Sequence, residues 1–226
     1  MMLLAGVAPG LVEGTTAATT PTAAVLRSGD VLLAFDGVAI ANDGTVHFRD
    51  RDGEAVLVLS RLDDQVSDEE TQQEVDRVVL TATLYGRSHD AQTYKARWTI
   101  ENETTCPGLD LDVDFYNDVS DVSDLNKNGV AEITVASHAF CGGGIDPHDI
   151  AIEMREGQAS YTITGESLIT PAGEDPIGGE REDSASLKGA PPVVREHMDA
   201  VWQQVYKRPW SEASPPSDDD PDDETE

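Results

Sequence analysis

Basic residues are scarce in this chain of 226 residues. It has 15 Lys and Arg against 44 Asp and Glu, which gives a formal net charge of −29, and only four of the basic residues are lysines. A surface of this sign repels the phosphate backbone and anionic lipid head groups, so neither nucleic acid nor an acidic membrane surface is an expected partner. The acidity itself has three explanations, which are divalent-cation binding, adaptation to high salt, and simple solubility.

Long hydrophobic runs are also missing, so no transmembrane segment is predicted. The N-terminal stretch MMLLAGVAPGLVEG is apolar, but it is interrupted by Gly and Pro and has no basic residue before it, as in a degenerate or clipped signal peptide. The Thr/Ala-rich stretch that follows is typical of a tether. We predict a disordered leader and linker over 1–27 and a disordered acidic tail over 211–226.

Cysteine is nearly absent, with Cys106 and Cys141 as the only two. A single pair in an otherwise cysteine-free chain favours a disulfide and an oxidising compartment, although two unrelated buried thiols are the alternative. Closing this loop would stabilise the fold by about 3–4 kcal/mol. The chain is therefore predicted to be exported, either to the periplasm or to the extracellular space. Association with the cell surface is an alternative within this prediction.

Short apolar segments with period-two alternation dominate the rest of the chain. In LDLDVDF, for example, apolar residues alternate with Asp110, Asp112 and Asp114, which would repel one another unless solvated or paired with a cation. We predict a mainly β (α+β) fold of antiparallel sheets or a meander, in a single domain over 28–210. The polar segments 63–74 and 171–189 are predicted to be loops.

One segment near the C-terminus has helical periodicity instead. Pro191 and Pro192 suit a helix start, and we predict a helix over about 191–207 with one apolar face packed on a sheet. That face consists of Val194, Met198, Val201, Trp202 and Val205.

The stretch SDLNKNGVAEITV resembles a calcium-binding loop, because oxygen-bearing residues alternate before a glycine. The candidate calcium ligands are Asp124, Asn126, Asn128, the backbone carbonyl of Val130, and Glu132. An EF-hand is excluded, because its twelfth position is Val135 instead of a bidentate glutamate. The pattern is closer to the FG-GAP-like loops between strands of integrin-type repeats. The alternative is a metal-free hairpin turn with positive φ at Asn128 and Gly129.

These motifs occur in an order that resembles a family of bacterial envelope-associated surface-polysaccharide biosynthesis proteins. The resemblance covers roughly residues 50–207, and it departs from the family pattern at Asn126, at the missing Ser between Asp146 and Pro147, and in the FCGGG run. It implies an envelope location and an association with surface polysaccharide. The matching positions are Cys106-Pro107, Asp124-Leu125, Asn128-Gly129, Glu132, Cys141, Asp146-Pro147 and Glu156-Gly157.

The predicted function is a non-enzymatic exported envelope or extracellular module, associated with surface polysaccharide and stabilised by calcium, with no catalytic residues. The alternative is a carbohydrate-active hydrolase, in which Glu132 and either Asp146 or Asp149 act as paired carboxylates. Cys141, His138 and His148 also suggest a zinc site, which would lack a fourth ligand, or a Cys-His nucleophile, which requires a free thiol.

Overall fold

The computed structural model describes residues 38–39, 44–69, 71–88, 90–171, 173 and 175–208. The predicted leader over 1–27 and the predicted tail over 211–226 lie outside the described residues. Within those ranges, no helix combines the length and the apolar character that crossing a membrane requires.

The described residues form thirteen strands and two helices, and the strands dominate. The strands are β1 (Val38–Ala39), β2 (Thr45–Asp50), β3 (Gly53–Ser67), β4 (Glu74–Arg87), β5 (Lys95–Cys106), β6 (Asp110–Phe115), β7 (Asp121–Ser123), β8 (Glu132–Gly142), β9 (Asp149–Glu156), β10 (Ala159–Glu166), β11 (Leu168–Ile169), β12 (Ile177–Gly178) and β13 (Arg181–Asp183). The helices are α1 (Ala185–Lys188) and α2 (Pro192–Val205). All strand pairs are antiparallel, so the predicted fold class is confirmed.

Strands β2 to β5 form a four-stranded meander in chain order. The prediction of a loop over 63–74 was wrong for half of this segment, because β3 and β4 stay paired out to Ser67 opposite Glu74. Asp64 accepts two hydrogen bonds from Arg77 on the neighbouring strand, at 2.7 and 2.6 Å. Cross-strand charge pairing thus accompanies a polar strand extension that has no hydrophobic alternation for the sequence to reveal.

The second sheet has seven strands and is built around β8. Its order is β1-β7-β8-β9-β10-β13, and β6 also pairs with β8. Strand β9 occupies one edge of β8, while β7 and β6 share the other edge, β7 at the start of β8 and β6 at its end. The start of β8 is therefore held by β7 and β9, whereas its last residues, from Phe140 on, are paired with β6 alone.

The two sheets pack face to face, and the helices cover the other face of the seven-stranded sheet. Between the sheets, Phe48, Leu57 and Leu84 belong to one buried cluster with Val122 and Ile133. On the helix side, a second cluster joins Ile150, Ile152, Met154 and Ile163 to the five apolar residues of α2 named above, all of which are buried. The amphipathic helix is therefore confirmed.

The segment 171–189 departs from its predicted loop. It contains β12, β13 and α1, and the Ser184 side chain caps α1 by accepting a hydrogen bond from the Leu187 N–H. These elements have two to four residues each. Elements this short depend on tertiary packing for their stability, so they leave no periodic signal.

The predicted disulfide is confirmed between Cys106 at the end of β5 and Cys141 near the end of β8, with the Cα atoms 5.5 Å apart. It therefore links the four-stranded sheet covalently to the seven-stranded sheet.

Candidate functional site

The predicted calcium loop connects β7 to β8, which pair with Ser123 opposite Glu132. The buried Asp124 carboxylate accepts hydrogen bonds from the N–H groups of Asn128 and Gly129, both at 3.0 Å. Positive φ occurs at Lys127 (59°) and Gly129 (82°) rather than at Asn128, which corrects the predicted turn. The Asn128 N–H donates to side-chain oxygens of Asp124 and Asn126. The non-glycine residue with positive φ is Lys127, one position before Asn128.

Glu132 begins β8 and is fully buried. One carboxylate oxygen accepts a hydrogen bond from the Leu125 N–H at 2.7 Å, and the other accepts one from the Asn126 amide at 2.5 Å. Glu156 lies directly opposite on β9 and accepts hydrogen bonds from the side-chain amides of Asn126 and Asn128 at 2.9 and 2.7 Å. Sequence reasoning missed Glu156, because only the register between β8 and β9 brings it to the loop.

Burial raises the pKa of Glu132 to about 7, and the negative charges of Glu156 and Asp124 push this pKa in the same direction. The Leu125 N–H bond opposes the shift. The buried carboxyl groups of Glu132 and Asp124 and the partly exposed one of Glu156 therefore repel one another. A cation bound among them would relieve their mutual repulsion.

The structure brings Asp124, Asn126, Asn128 and Glu132 into one hydrogen-bonded network, and the Val130 N–H donates to the Asn128 side-chain oxygen at 2.7 Å. Both asparagine oxygens accept a backbone N–H. A carbonyl oxygen has two lone pairs, so each can also face a cation. The hydrogen bonds of the loop suit a metal-free turn, and a calcium ion would need the Asn126 and Asn128 amides, whose nitrogens donate to Glu132 and Glu156, to turn their oxygens toward it.

The paired-carboxylate alternative at Glu132 does not match this geometry. Glu132 lies opposite Glu156, whereas Asp149 lies opposite Ala139, seven residues further along β8. That separation is about 23 Å at the rise of an antiparallel strand, far beyond the spacing of two glycosidase carboxyls. Asp146 lies beside Gly142, which ends β8 at the opposite end from Glu132, so it is also remote from Glu132.

A cleft of about 700 Å³ lies between the two sheets and is lined by residues of both. Its volume is in the range of small-molecule sites. Strand β5 contributes amide and hydroxyl groups, β8 a serine and His138, and β9, β10 and β13 carboxylates, a hydroxyl and the guanidinium of Arg181. Lining residues from these strands include Asn102, Thr104, Ser137, Asp149, Thr164, Glu166 and Glu182.

Three side chains of types that commonly bind metals meet beside the second half of β8, away from Glu132. Asp112 on β6, His138 on β8 and His148 before β9 place one possible ligand atom each within 4.8 Å of one another. Cys141 takes no part, since its sulfur is bonded to Cys106. The suggested Cys141 zinc site and the Cys-His nucleophile are therefore corrected. The signal that sequence reasoning underused was the acidic face of LDLDVDF.

No protein-family model, curated protein or solved structure matches this chain.

Proposed function

We propose that the protein is a non-enzymatic module of the bacterial envelope or extracellular space, and that it binds surface polysaccharide in the cleft between its two sheets. The observation that carries this proposal is the cleft itself, which is large enough for a few sugar units and is lined by hydroxyl, amide and carboxylate groups. Such groups exchange hydrogen bonds with sugar hydroxyls.

The disulfide supports an exported location. Structural disulfides persist in oxidising compartments and are rare in the cytosol. The Cys106–Cys141 bridge joins the two sheets that form the cleft, so an oxidising compartment would keep the binding surface intact.

The negative charge of the cleft disfavours anionic polysaccharides as ligands. Asp149, Glu166, Glu180 and Glu182 line it together with a single basic residue, Arg181. Arg181 is already bonded to Asp183 and Asp199 at 2.6 Å. An acidic lining repels anionic polymers, so the proposed ligand is a neutral or amino-bearing glycan.

The cleft is tested with two neighbouring substitutions on β5. Thr104 lines the cleft, whereas Thr105 alternates to the opposite face of the strand. Calorimetric titration with neutral, amino-bearing and anionic polysaccharides should show binding of one of the first two classes, which Thr104→Trp abolishes and Thr105→Trp retains. Binding of no glycan, or equal loss in both variants, contradicts the proposal.

Calcium is proposed to stabilise the module through the loop between β7 and β8. The supporting observation is that Asp124, Glu132 and Glu156 are joined in one hydrogen-bonded network through Asn126 and Asn128. Having few charged ligands, the site would bind calcium weakly, in the ~0.1–1 mM range of extracellular modules.

The calcium proposal is tested by thermal unfolding in millimolar calcium and in chelator at fixed ionic strength. Calcium should raise the melting temperature of the native protein, and Asp124→Asn should reduce that rise. Asp110→Asn, a charge-matched change at an exposed residue of β6, should leave the rise unchanged. An identical melting temperature with calcium and with chelator would overturn the proposal.

A hydrolase is the second candidate function. Its paired carboxylates would lie in the cleft instead of at Glu132. Asp149 and Glu166 lie directly opposite on β9 and β10, and both line the cleft. Opposed residues have Cβ atoms about 5 Å apart, which is compatible with the carboxyl spacing of retaining glycosidases. Release of reducing ends that Glu166→Gln abolishes would favour this candidate over the non-enzymatic one.

A further inference from the structure

We propose that Asp112, His138 and His148 form a binding site for one divalent transition-metal ion, with zinc as the best-suited metal. This site is separate from the calcium loop, and it adjoins the cleft, because His138 also belongs to the cleft lining.

The distances between the three side chains suit a shared ion. The His138 Nε2 atom lies 3.2 Å from one Asp112 carboxylate oxygen, and the His148 Nδ1 atom lies 3.9 Å from the other. Donor atoms around a tetrahedral zinc ion with bonds of ~2.0 Å are about 3.3 Å apart, so only small side-chain movements are needed. The 3.9 Å contact is too long for a hydrogen bond, whereas an ion could bridge the two groups.

The surroundings hold both imidazoles in place. The His148 ring stacks on Phe140 with centroids 4.6 Å apart, and Tyr116 lies against the His138 ring at 4.7 Å. The two imidazoles stack on each other at 5.6 Å. Because the rings are packed before any ion arrives, binding would require little loss of side-chain entropy.

Exposure is unequal among the three groups, and this leaves an open coordination position. The side chains of His138 and His148 are 13% and 8% exposed, whereas that of Asp112 is 46% exposed. The ion would therefore enter from solvent on the Asp112 side. It would have three protein ligands and keep at least one water molecule or a small exogenous ligand.

The chemistry of the donors separates this site from the calcium loop. Two imidazole nitrogens and one carboxylate suit zinc and its first-row neighbours, while calcium requires a shell of oxygens. The site should therefore discriminate against calcium even on this acidic surface. Within the described residues, the buried His138 Nδ1 atom has no hydrogen-bond partner. A hydrogen-bond partner at Nδ1 would orient the imidazole and strengthen metal binding. Because this atom has no such partner, we expect a moderate zinc affinity.

The test is zinc titration of the untagged full chain at physiological ionic strength with a large excess of calcium. Calcium saturates nonspecific carboxylates, so one zinc ion per chain should remain bound. Asp112→Asn should weaken zinc binding by about tenfold or more, because it removes an anionic ligand while nearly preserving shape. Asp110→Asn is the matched control on the same face of β6. Asp110 is exposed and lies opposite Gly142, four residues along β8 from His138, so this change should alter the affinity by less than about twofold.

A second measurement needs no variant. Imidazole NMR of the native protein should show zinc-dependent shifts of two of the five histidines, His138 and His148, while the other three stay unchanged. Retention of no zinc in excess calcium, equal weakening by the two aspartate variants, or shifts at other histidines would each overturn the proposal.

Discussion

Glu132 shows how the surroundings of one residue alter its chemistry. Its side chain is fully buried at the start of β8, and Glu156 faces it from β9. Burial, followed by the charges of Glu156 and Asp124, raises the pKa of Glu132 to about 7, compared with an ordinary value of 4.5. The protonated carboxyl is thus favoured in the folded protein, and its ionisation near neutral pH costs stability.

We expect this cost to appear as a pH dependence of the free energy of unfolding in chelator. Below pH 4.5 both states hold the proton, and between pH 4.5 and 7 only the folded state keeps it. Stability should therefore fall as the pH rises through this window, by about 3 kcal/mol. Glu132→Gln should remove this component.

Urea unfolding at pH 5 and pH 8 measures this dependence, and the difference between the native protein and Glu132→Gln isolates Glu132 from other titrating groups. Glu101→Gln, an exposed position on β5, serves as the control and should behave like the native protein. Equal pH dependence in the native protein and Glu132→Gln would refute the assignment.

At the scale of elements, β8 organises the molecule. It carries Glu132 at its first position, His138 in its second half and Cys141 near its end. Different strands hold these residues. Glu132 is flanked by β7 and β9, His138 is paired with β6, and Cys141 is bonded to β5 through the disulfide. Strand pairing therefore sets where each candidate site lies.

The disulfide should contribute strongly to this arrangement. The bridge closes a separation of 35 residues, and in the chain-entropy treatment this stabilises the folded state by about 3–4 kcal/mol. A variant with both Cys106→Ser and Cys141→Ser should lose this amount in chemical denaturation. The native protein under reducing conditions should lose a similar amount, which controls for the introduced hydroxyls. A loss below ~1 kcal/mol would contradict a structural role for the bridge.

At the scale of the whole molecule, the excess of acidic residues sets the response to salt. Several arginines are paired, as in Arg77 with Asp64 and Arg208 with Asp118. With 44 acidic and only 15 basic residues, however, most carboxylates cannot find a cationic partner. Self-repulsion of the folded state should therefore outweigh the ion pairs that salt also weakens.

We expect sodium chloride to stabilise the protein. Raising its concentration from ~0.05 to ~1 M shortens the Debye length to about 3 Å and should raise both the melting temperature and the free energy of unfolding. Calorimetry with chelator present checks this, and sucrose serves as a control for excluded-solute effects without charge. Unchanged or lower stability in salt would show that the ion pairs dominate.

Local patterns in the sequence determined the mainly β class, the disulfide pairing of the only two cysteines, and helix α2 with its five buried residues. The β class and the helix rest on periodicity within short segments. The disulfide rests on composition, since only one pair of cysteines exists. The short elements between 171 and 189 and the polar outer end of the β3–β4 ladder lacked such a signal, because tertiary pairing supports them.

The candidate sites divide in the same way. The sequence alone identified the acidic loop through Asp124 and Glu132, since its residues are close in the chain. Only the tertiary structure added Glu156 to that loop, joined Asp112 to the two histidines, and formed the cleft. These groups lie on different strands, and strand register is a cooperative result of packing that no short segment encodes.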